Sequence, residues 1–176
     1  QVDLTPVYDH FVAAMIPGGA NHELSLANSR ARLRMSTLYY HGQANGLLVA
    51  GTGNKVEDFG VGFYTKYGDG GVDLSPIADL LKTEVFALAR HLGVVDSILD
   101  AKPTDGLWGD DRTDEDQLGA SYPELEWAMA QQEAGKSVSD FSGREAEVMA
   151  IYTKFNTANK HKMLPIPVCP IPSELG

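Results

Sequence analysis

Three polar residues in the first half of the chain have side chains suited to magnesium and phosphate. Thr52 follows a short apolar run, Glu57 lies in the next predicted helix, and Lys82 lies in the first turns of a later one. Phosphate-bound Mg²⁺ usually takes only one or two protein carboxylates, and an ammonium beside a helix N-terminus binds anions. Taken singly, Glu57 and Lys82 are more simply interpreted as surface charges. Together with Thr52, around strand ends, they favour a phosphate site.

A glycine-rich segment, "YTKYGDGGVDLSP" at residues 64–76, follows the helix that carries Glu57. It combines Lys66 with Asp69 and Asp73. Its glycines permit either a tight bend or a close approach of backbone to a ligand. Taken alone, the segment is more simply a surface turn.

Several other chemistries are excluded by spacing. The segment "GTGNKVEDFG" lacks the final glycine of a dinucleotide fingerprint. The one Gly-Lys-Ser, at residues 135–137, is not a P-loop because Ala130 stands where that motif has its first glycine, and there is no Gly-x-Ser-x-Gly elbow. The histidines lack metal-ligand spacing, which argues against zinc: they are His10, His22, His41, His91 and His161.

The elements that must position these residues alternate between helix and strand. A helix is predicted over residues 21–45, with Asn21 as its cap and an apolar stripe formed by Leu24, Ala27, Ala31 and Leu38. "GLLVAGTGN" at residues 46–54 has the pattern of a buried parallel strand. A second helix is predicted from about Asn54 to Lys66.

The second half of the chain is predicted to be mainly helical. Ser75 and Pro76 are typical of a helix start, and Gly93 ends that helix after an apolar face of Leu81, Val85, Leu88 and Leu92. Capping boxes at 121–124 and 142–145 predict helices to about Gln132 and Ala158, and the Pro-rich tail is expected to be extended. The order indicates an α/β fold with a Rossmann-like open parallel sheet, helices on both faces, and ligands at the carboxyl ends of its strands.

Composition narrows the class of protein. A net charge of −10 argues against nonspecific nucleic-acid binding, and no apolar run is long enough to span a membrane. The single Cys169 cannot form an internal disulfide, so a cytoplasmic location is expected. The segment 105–116 contains six carboxylates against Arg112 and is expected to be a solvated acidic loop. The chain opens on "QVDLTP", without Met and within a predicted strand, which suggests a fragment.

Four stretches resemble one known family. "NSRARLRM", "VAGTGNKVEDFGVGFYTKYGDGGVDLSPIADLLKTEV", "KPTDGL" and "NKHKMLPIP" occur in the order, and close to the spacing, of NAD synthetase, which amidates deamido-NAD with ATP and ammonia. The resemblance covers about residues 1 to 172. Its most specific stretch runs from Gly51 to Lys82.

The resemblance implies a role for individual residues. The contacts to ATP fall on Thr52, Lys82 and Thr104, and the Mg²⁺ carboxylate falls on Glu57, so that Lys82 and Glu57 are the implied catalytic residues. In the family reaction, the nicotinate carboxylate attacks the α-phosphate of ATP, pyrophosphate leaves, and ammonia displaces AMP from the acyl-adenylate. The implied deamido-NAD contacts are Asn28, Arg32, Lys66, Asp73, His161 and Lys162.

One family motif does not occur in the sequence. The Ser-Gly-Gly-x-Asp-Ser loop, whose backbone N–H groups hold pyrophosphate and whose Asp is a second Mg²⁺ ligand, is not found within the 176 residues. We therefore expect a single domain, the C-terminal part of an NAD synthetase domain that is inactive as the isolated chain. The resemblance also implies a homodimer of the adenine nucleotide alpha hydrolase-like fold.

Two alternatives stay open. One is another ATP pyrophosphatase of the same fold, such as a GMP or asparagine synthetase, against which "KYGDGG" and "HK" argue. The other is a noncatalytic nucleotide-binding or dimerisation module that lacks the loop. The sequence does not decide whether a glutaminase domain supplies the ammonia.

Overall fold

The computed structural model describes residues 1–15, 22–108, 110 and 112–173. None of the helices in these ranges is long and apolar enough to cross a membrane. The helices are α1 (Thr5–Met15), α2 (Glu23–Asn45), a π-helix (Val56–Val61), α3 (Lys82–His91), α4 (Asp96–Leu99), α5 (Asp114–Leu118), α6 (Tyr122–Glu133), a 3₁₀ turn (Val138–Asp140) and α7 (Gly143–Met163).

The hydrophobic core lies where α6, α7 and the π-helix pack together. Leu125 of α6 and Met149 of α7 are fully buried, as is Val56 at the start of the π-helix. Helix α3 packs against α6, and α1 packs against α2. Burial of the apolar side chains at this junction fixes the π-helix, which carries Glu57, relative to α6.

The C-terminal carbonyls of the π-helix are satisfied by side chains of α7. Asn156 Nδ2 donates to Gly60 O at 2.7 Å, and Asn159 Nδ2 donates to Val61 O at 2.9 Å. Three residues further along α7, Lys162 Nζ donates to Gly62 O at 2.9 Å. Because the last carbonyls of a helix have no partner within it, this row of donors stabilises an otherwise uncommon element.

The predicted strand at residues 46–54 is reduced to one parallel bridge between Ala50 and Leu74. Its backbone contacts include Gly51 N to Leu74 O at 2.7 Å. Val49 is buried, but Leu47 and Leu48 are 66% and 70% exposed, so the expectation of a fully buried strand is wrong for those two residues. A strand is buried on both faces only inside a wider sheet, and among the described residues only the segment around Leu74 pairs with it.

The helix predicted to start at Ser75 begins instead at Lys82. The intervening residues form turns, with Ala78 N bonded to Ser75 O at 3.3 Å and Leu80 N bonded to Ile77 O at 3.0 Å. Glu84 caps the true start, because its carboxylate accepts from Leu81 N at 2.8 Å. The predicted end is close, since α3 ends at His91 and Gly93 has a φ of +73°.

Other boundaries also differ from the predictions. The helix expected to reach Lys66 ends at Val61, because Gly62 adopts a left-handed φ of +62°. Helix α7 extends past Ala158 to Met163 without the side-chain cap bond predicted at its start. Residues 1–4 form no strand, contrary to the prediction, and α1 begins at Thr5.

Helix α2 begins at Glu23 after His22, and the predicted cap Asn21 lies outside the described residues. In the predicted stripe of α2, the alanines are buried, whereas Leu24 and Leu38 are exposed. The α6 prediction is confirmed: Ser121 N donates to Glu124 Oε2 at 2.8 Å, and the helix ends at Glu133. Residues 165–172 form no helix or strand, as predicted for the tail.

Candidate active site

Glu57 and Lys82 form an ion pair, with 2.9 Å between Oε1 and Nζ. The side chains are only 15% and 19% exposed. Asn54, which is buried, accepts from the N–H groups of Val56 and Glu57 at 3.1 Å each and so fixes the first turn of the π-helix. Lys82 is the first residue of α3. The structure thus brings together the two residues predicted to be catalytic.

Tyr122 and Asp114 complete a polar cluster around this pair. The Tyr122 hydroxyl lies 2.5 Å from Glu57 Oε1 and 3.2 Å from Asp114 Oδ2. The Lys82 ammonium lies 4.8 Å from the centre of the Tyr122 ring. Burial raises the pKa of the Tyr122 hydroxyl, and the nearby Glu57 charge raises it further. At neutral pH Tyr122 is therefore a neutral hydrogen-bond donor.

Asp114 corrects the expectation of a solvated acidic loop. Asp114 is only 8% exposed, and its Oδ1 has no hydrogen-bond partner among the described residues. Burial raises the pKa of this carboxyl group. A buried polar group without a partner costs about 1–3 kcal/mol, so this position carries a cost that packing alone does not explain.

Two further acids, Asp58 and Asp69, interact with each other, and Asp58 also feels the charge of Glu57. Burial, followed by the charges of Glu57 and Asp69, raises the pKa of Asp58 to about 6. The pKa of Asp69 is also raised by burial, although Thr65 N donates to its Oδ1 at 2.9 Å. A Cβ at Gly53 would lie 2.2 Å from the Asp58 carboxylate oxygens, so a larger residue there would displace that carboxylate.

Thr52 and Thr104, the two threonines predicted to contact ATP, are exposed. Thr52 lines a cavity of about 350 Å³ together with Asp69, Asp105 and apolar residues of α2. The Thr104 hydroxyl donates to Arg112 O at 3.2 Å. Among the described residues, no hydrogen bond joins either threonine to Glu57 or Lys82.

Four of the predicted dinucleotide contacts surround the segment after the π-helix. Thr65 Oγ1 donates to Asn28 Oδ1 at 2.6 Å, and Arg32 donates from Nε and Nη2 to Lys66 O at 3.3 Å each. Lys66 Nζ in turn donates to His161 O at 2.5 Å. Residues from α2, the glycine-rich segment and α7 therefore meet at one surface.

Lys162 and Asp73 already make structural contacts at this surface. Besides Gly62 O, Lys162 Nζ donates to Tyr64 O at 2.8 Å, and burial lowers the pKa of this ammonium. Asp73 Oδ1 accepts from the Tyr39 hydroxyl at 3.1 Å, and Oδ2 accepts from Val49 N at 2.8 Å. Both residues therefore hold neighbouring backbone or side chains in place.

The glycines of residues 64–76 allow close packing rather than a left-handed turn. The positive φ in this segment, +62°, belongs to Tyr67. A Cβ at Gly68 would lie 2.9 Å from the Cβ of Ala31, and a Cβ at Gly71 would lie 3.0 Å from Met35 Cγ, both on α2. These two glycines therefore let the segment pack against α2.

The donor set around Glu57 is compatible with phosphate-bound Mg²⁺. No group of three or more His, Cys, Asp or Glu side chains within the described ranges could hold a metal by itself. Phosphate-bound Mg²⁺ needs only one or two carboxylates and takes its other oxygens from phosphate and water. A half-buried single carboxylate beside a lysine fits that mode of binding.

Tyr122 and Asp114 were missed by the sequence analysis. Tyr122 is separated from Glu57 by 65 residues, so no local spacing links them. The local signal for Tyr122 was its position directly after a predicted helix cap. A tyrosine that is buried there usually has a hydrogen-bond partner for its hydroxyl. Asp114 was hidden among the other acids of residues 105–116.

Comparison with known proteins gives one family. The family model described as NAD synthase matches residues 1–165. The chain is 38% identical over 170 residues to the NH(3)-dependent NAD(+) synthetase of Methanosarcina acetivorans, covering 95% of this chain and 66% of that protein. It is 43% identical over 148 residues to the enzyme of the same name from Archaeoglobus fulgidus, covering 84% of this chain and 58% of that protein.

A solved structure agrees with this result. The NMN synthetase of Francisella tularensis superposes with a TM-score of 0.80 at 31% identity, covering 96% of this chain and 65% of that one. The chain thus spans about two thirds or less of the length of these relatives. Sequence and fold agree: the chain belongs to the NAD synthase family.

Proposed function

We propose that the protein containing this chain converts deamido-NAD, Mg-ATP and ammonia to NAD, AMP and pyrophosphate. The observation that carries the proposal is the half-buried Glu57–Lys82 pair at the start of α3, in a chain that belongs to the NAD synthase family. The surface formed by Asn28, Arg32, Lys66 and His161 supports a site for the dinucleotide.

Lys82 is the residue best placed to act on the triphosphate. Without nucleotide its charge is neutralised by Glu57, and binding of Mg-ATP would separate the pair so that the ammonium faces phosphate oxygen. The attacking nicotinate carboxylate places negative charge on the α-phosphate, and Lys82 stabilises that charge as it develops. One preorganised donor of this kind contributes about 3 kcal/mol.

Glu57 is the proposed ligand for the metal. Mg²⁺ bound with ATP supplies positive charge beside the phosphates and orients them. Thr52 and Thr104 are proposed to contact ATP, and Asp73 and Lys162 to complete the deamido-NAD site. Glu57 and Lys82 act first on the nucleotide, whereas the surface around Lys66 holds the acid that is amidated.

Further properties are proposed from the family resemblance. The parallel bridge between Ala50 and Leu74 supports an open parallel sheet of the Rossmann-like type. We also propose that residues 1–176 belong to one NAD synthetase domain, that the protein is a homodimer, and that it is cytoplasmic. Sedimentation of the purified protein tests the dimer directly.

The proposed activity is tested by identifying the nucleotide products. Protein expressed from its complete reading frame is incubated with deamido-NAD, Mg-ATP and ammonium chloride. We expect AMP and pyrophosphate in equal amounts with NAD. Release of ADP and phosphate would contradict the proposal, because it requires attack at the γ-phosphate.

The Francisella structure favours a second candidate substrate. That protein is an NMN synthetase, so the mononucleotide acid is the alternative acceptor to test. Equal concentrations of the mononucleotide and dinucleotide acids compete in one reaction. We expect preferential formation of NAD; preferential formation of NMN would assign this chain the mononucleotide.

A further inference from the structure

Tyr122 connects the hydrophobic core to the Glu57–Lys82 pair. It is only 3% exposed and lies in the core formed by α6, α7 and the π-helix. Its hydroxyl lies 2.5 Å from Glu57 Oε1, the same oxygen that accepts from Lys82 at 2.9 Å. Its ring lies under the Lys82 ammonium. One rigidly packed side chain therefore contacts both members of the pair.

The hydroxyl has one proton and two acidic neighbours. The contact to Glu57 is 2.5 Å, within the range of strong O–H···O⁻ bonds, whereas the contact to Asp114 Oδ2 is 3.2 Å. The proton is therefore donated to Glu57. Asp114 is itself held in place, because its N–H donates to Pro103 O at 3.0 Å at the start of α5.

We infer that Tyr122 is a positioning residue that holds the Glu57 carboxylate in its metal-binding position when Lys82 turns to the nucleotide phosphates. This inference rests on the proposed function. In the structure, Glu57 Oε1 has two donors, Lys82 and Tyr122. Loss of Lys82 to a phosphate leaves Tyr122 as the remaining donor.

The backbone alone does not hold the Glu57 carboxylate in position. Asn54 fixes the N–H groups of Val56 and Glu57, and thus where the Glu57 side chain begins. The direction of its carboxylate depends on the groups that contact its oxygens. Tyr122 is the contact that substrate binding does not remove, since its ring is locked in the core.

The test compares Tyr122→Phe with Tyr152→Phe. Tyr152 is 2% exposed in the same core, and no side-chain hydrogen bond to another described residue is found for it. Binding of Mn²⁺ in the presence of α,β-methylene-ATP is measured by electron paramagnetic resonance on the complete protein. We expect Tyr122→Phe to weaken Mn²⁺ binding roughly ten- to a hundredfold, the effect of one hydrogen bond to a charged group. Tyr152→Phe should leave the affinity within about twofold of the unmodified protein.

Equal Mn²⁺ affinities for the two variants would overturn the inference, as would failure of the unmodified protein to bind Mn²⁺. If Tyr122→Phe unfolds, the comparison is made with the double variant Tyr122→Phe/Asp114→Asn, which also removes the buried Asp114 charge. The expected loss of affinity is the same for both. The product assay on the unmodified protein tests the proposed function separately, since it does not depend on Tyr122.

Discussion

At the scale of single residues, the proposed site depends on Glu57 exchanging its partner Lys82 for a metal cation. Its carboxylate is half-buried and touches one ammonium and one hydroxyl. Neutralisation by Lys82 avoids the cost of leaving a partly buried charge unpaired. The ion pair is therefore stable by itself. When Mg-ATP binds, the metal cation can take the place of Lys82 beside Glu57, and a phosphate can take the place of Glu57 beside Lys82.

Replacing Glu57 with glutamine tests its role toward the metal. We expect Glu57→Gln to lose most activity at ordinary Mg²⁺ and to recover partly at high Mg²⁺, because a neutral amide is a poorer ligand for a hard dication. Activity is measured against Mg²⁺ concentration, with Glu147→Gln as control because that carboxylate is exposed on α7. Identical Mg²⁺ curves for Glu57→Gln and the unmodified protein would show that Glu57 does not bind the metal.

Asp73 has both structural contacts and a proposed role toward deamido-NAD. We expect Asp73→Ala to raise the KM for the dinucleotide about ten- to a hundredfold and to leave that for ATP nearly unchanged, since a charge-assisted hydrogen bond is lost. Tyr39→Phe is the control, because it removes one contact of Asp73 and keeps the carboxylate. Steady-state kinetics and melting curves are recorded for both variants. Equal increases in both KM values with a lowered Tm would reduce Asp73 to a residue that orders the turn.

Asp58 should make the stability of the protein depend on pH. Its pKa is about 6 in the folded protein, against 3.8 for an unperturbed aspartate, so the folded state binds the proton first as the pH falls. The unfolding free energy therefore rises as the pH falls from about 6 to about 4, and the penalty is fully present above pH 6. We expect Asp58→Asn to remove this slope and to add about 1 kcal/mol at pH 7 after allowance for solvent screening.

Denaturant unfolding at several pH values measures this effect. The control is Asp100→Asn, which removes the same charge from an exposed position. A slope between pH 4 and 6 that survives in Asp58→Asn would assign the pH dependence to other groups.

At the scale of elements, the critical contact is the one between the π-helix and α7. Gly62 ends the π-helix with a φ of +62°, and a Cβ there would lie 2.5 Å from Asn159 Cβ and 2.8 Å from Met163 Cε. Any side chain at this position would push α7 away from the carbonyls that Asn156, Asn159 and Lys162 satisfy. The short π-helix, and with it Glu57, depends on this close contact.

Gly62→Ala should destabilise the protein more than an equivalent change elsewhere. Gly46 has a similar φ of +66° with no atom near its Cβ position, so Gly46→Ala isolates the backbone cost of about 1–2 kcal/mol. Gly62→Ala adds overpacking and should cost about 3 kcal/mol or more. The unfolding free energies of the two variants decide: equal values would mean that α7 moves aside without penalty.

The sequence predicted which residues form the site better than it predicted the boundaries of the helices that carry them. Local spacing placed Thr52, Glu57 and Lys82 near strand ends, and the Glu57–Lys82 pair is formed. The start of α3 was predicted at Ser75 instead of Lys82. Ser and Pro are common in turns as well as at helix starts, and here Ser75 and Pro76 form a turn. The π-helix is specified by Asn54 and by α7 side chains almost a hundred residues away, as in the bond from Asn159 to Val61. No local pattern contains that information.

At the scale of the whole molecule, an acidic chain is proposed to bind anionic substrates. The net charge is −10, so long-range attraction does not bring the nucleotides to the protein. The cations are concentrated instead at Lys82 and around Lys66, where Arg32 and Lys162 also contact the backbone. Binding therefore depends on these local groups and on the metal.

The most direct measurement of the proposed reaction follows oxygen from the acid to the nucleotide. Deamido-NAD labelled with ¹⁸O in the nicotinate carboxylate is incubated with the complete protein, Mg-ATP and ammonium, and the products are analysed by mass spectrometry. If the carboxylate attacks the α-phosphate and ammonia then displaces AMP, one ¹⁸O atom appears in AMP for each NAD formed. Label found in inorganic phosphate, or AMP that forms without label, would contradict attack at the α-phosphate and with it the proposed role of the Glu57–Lys82 pair.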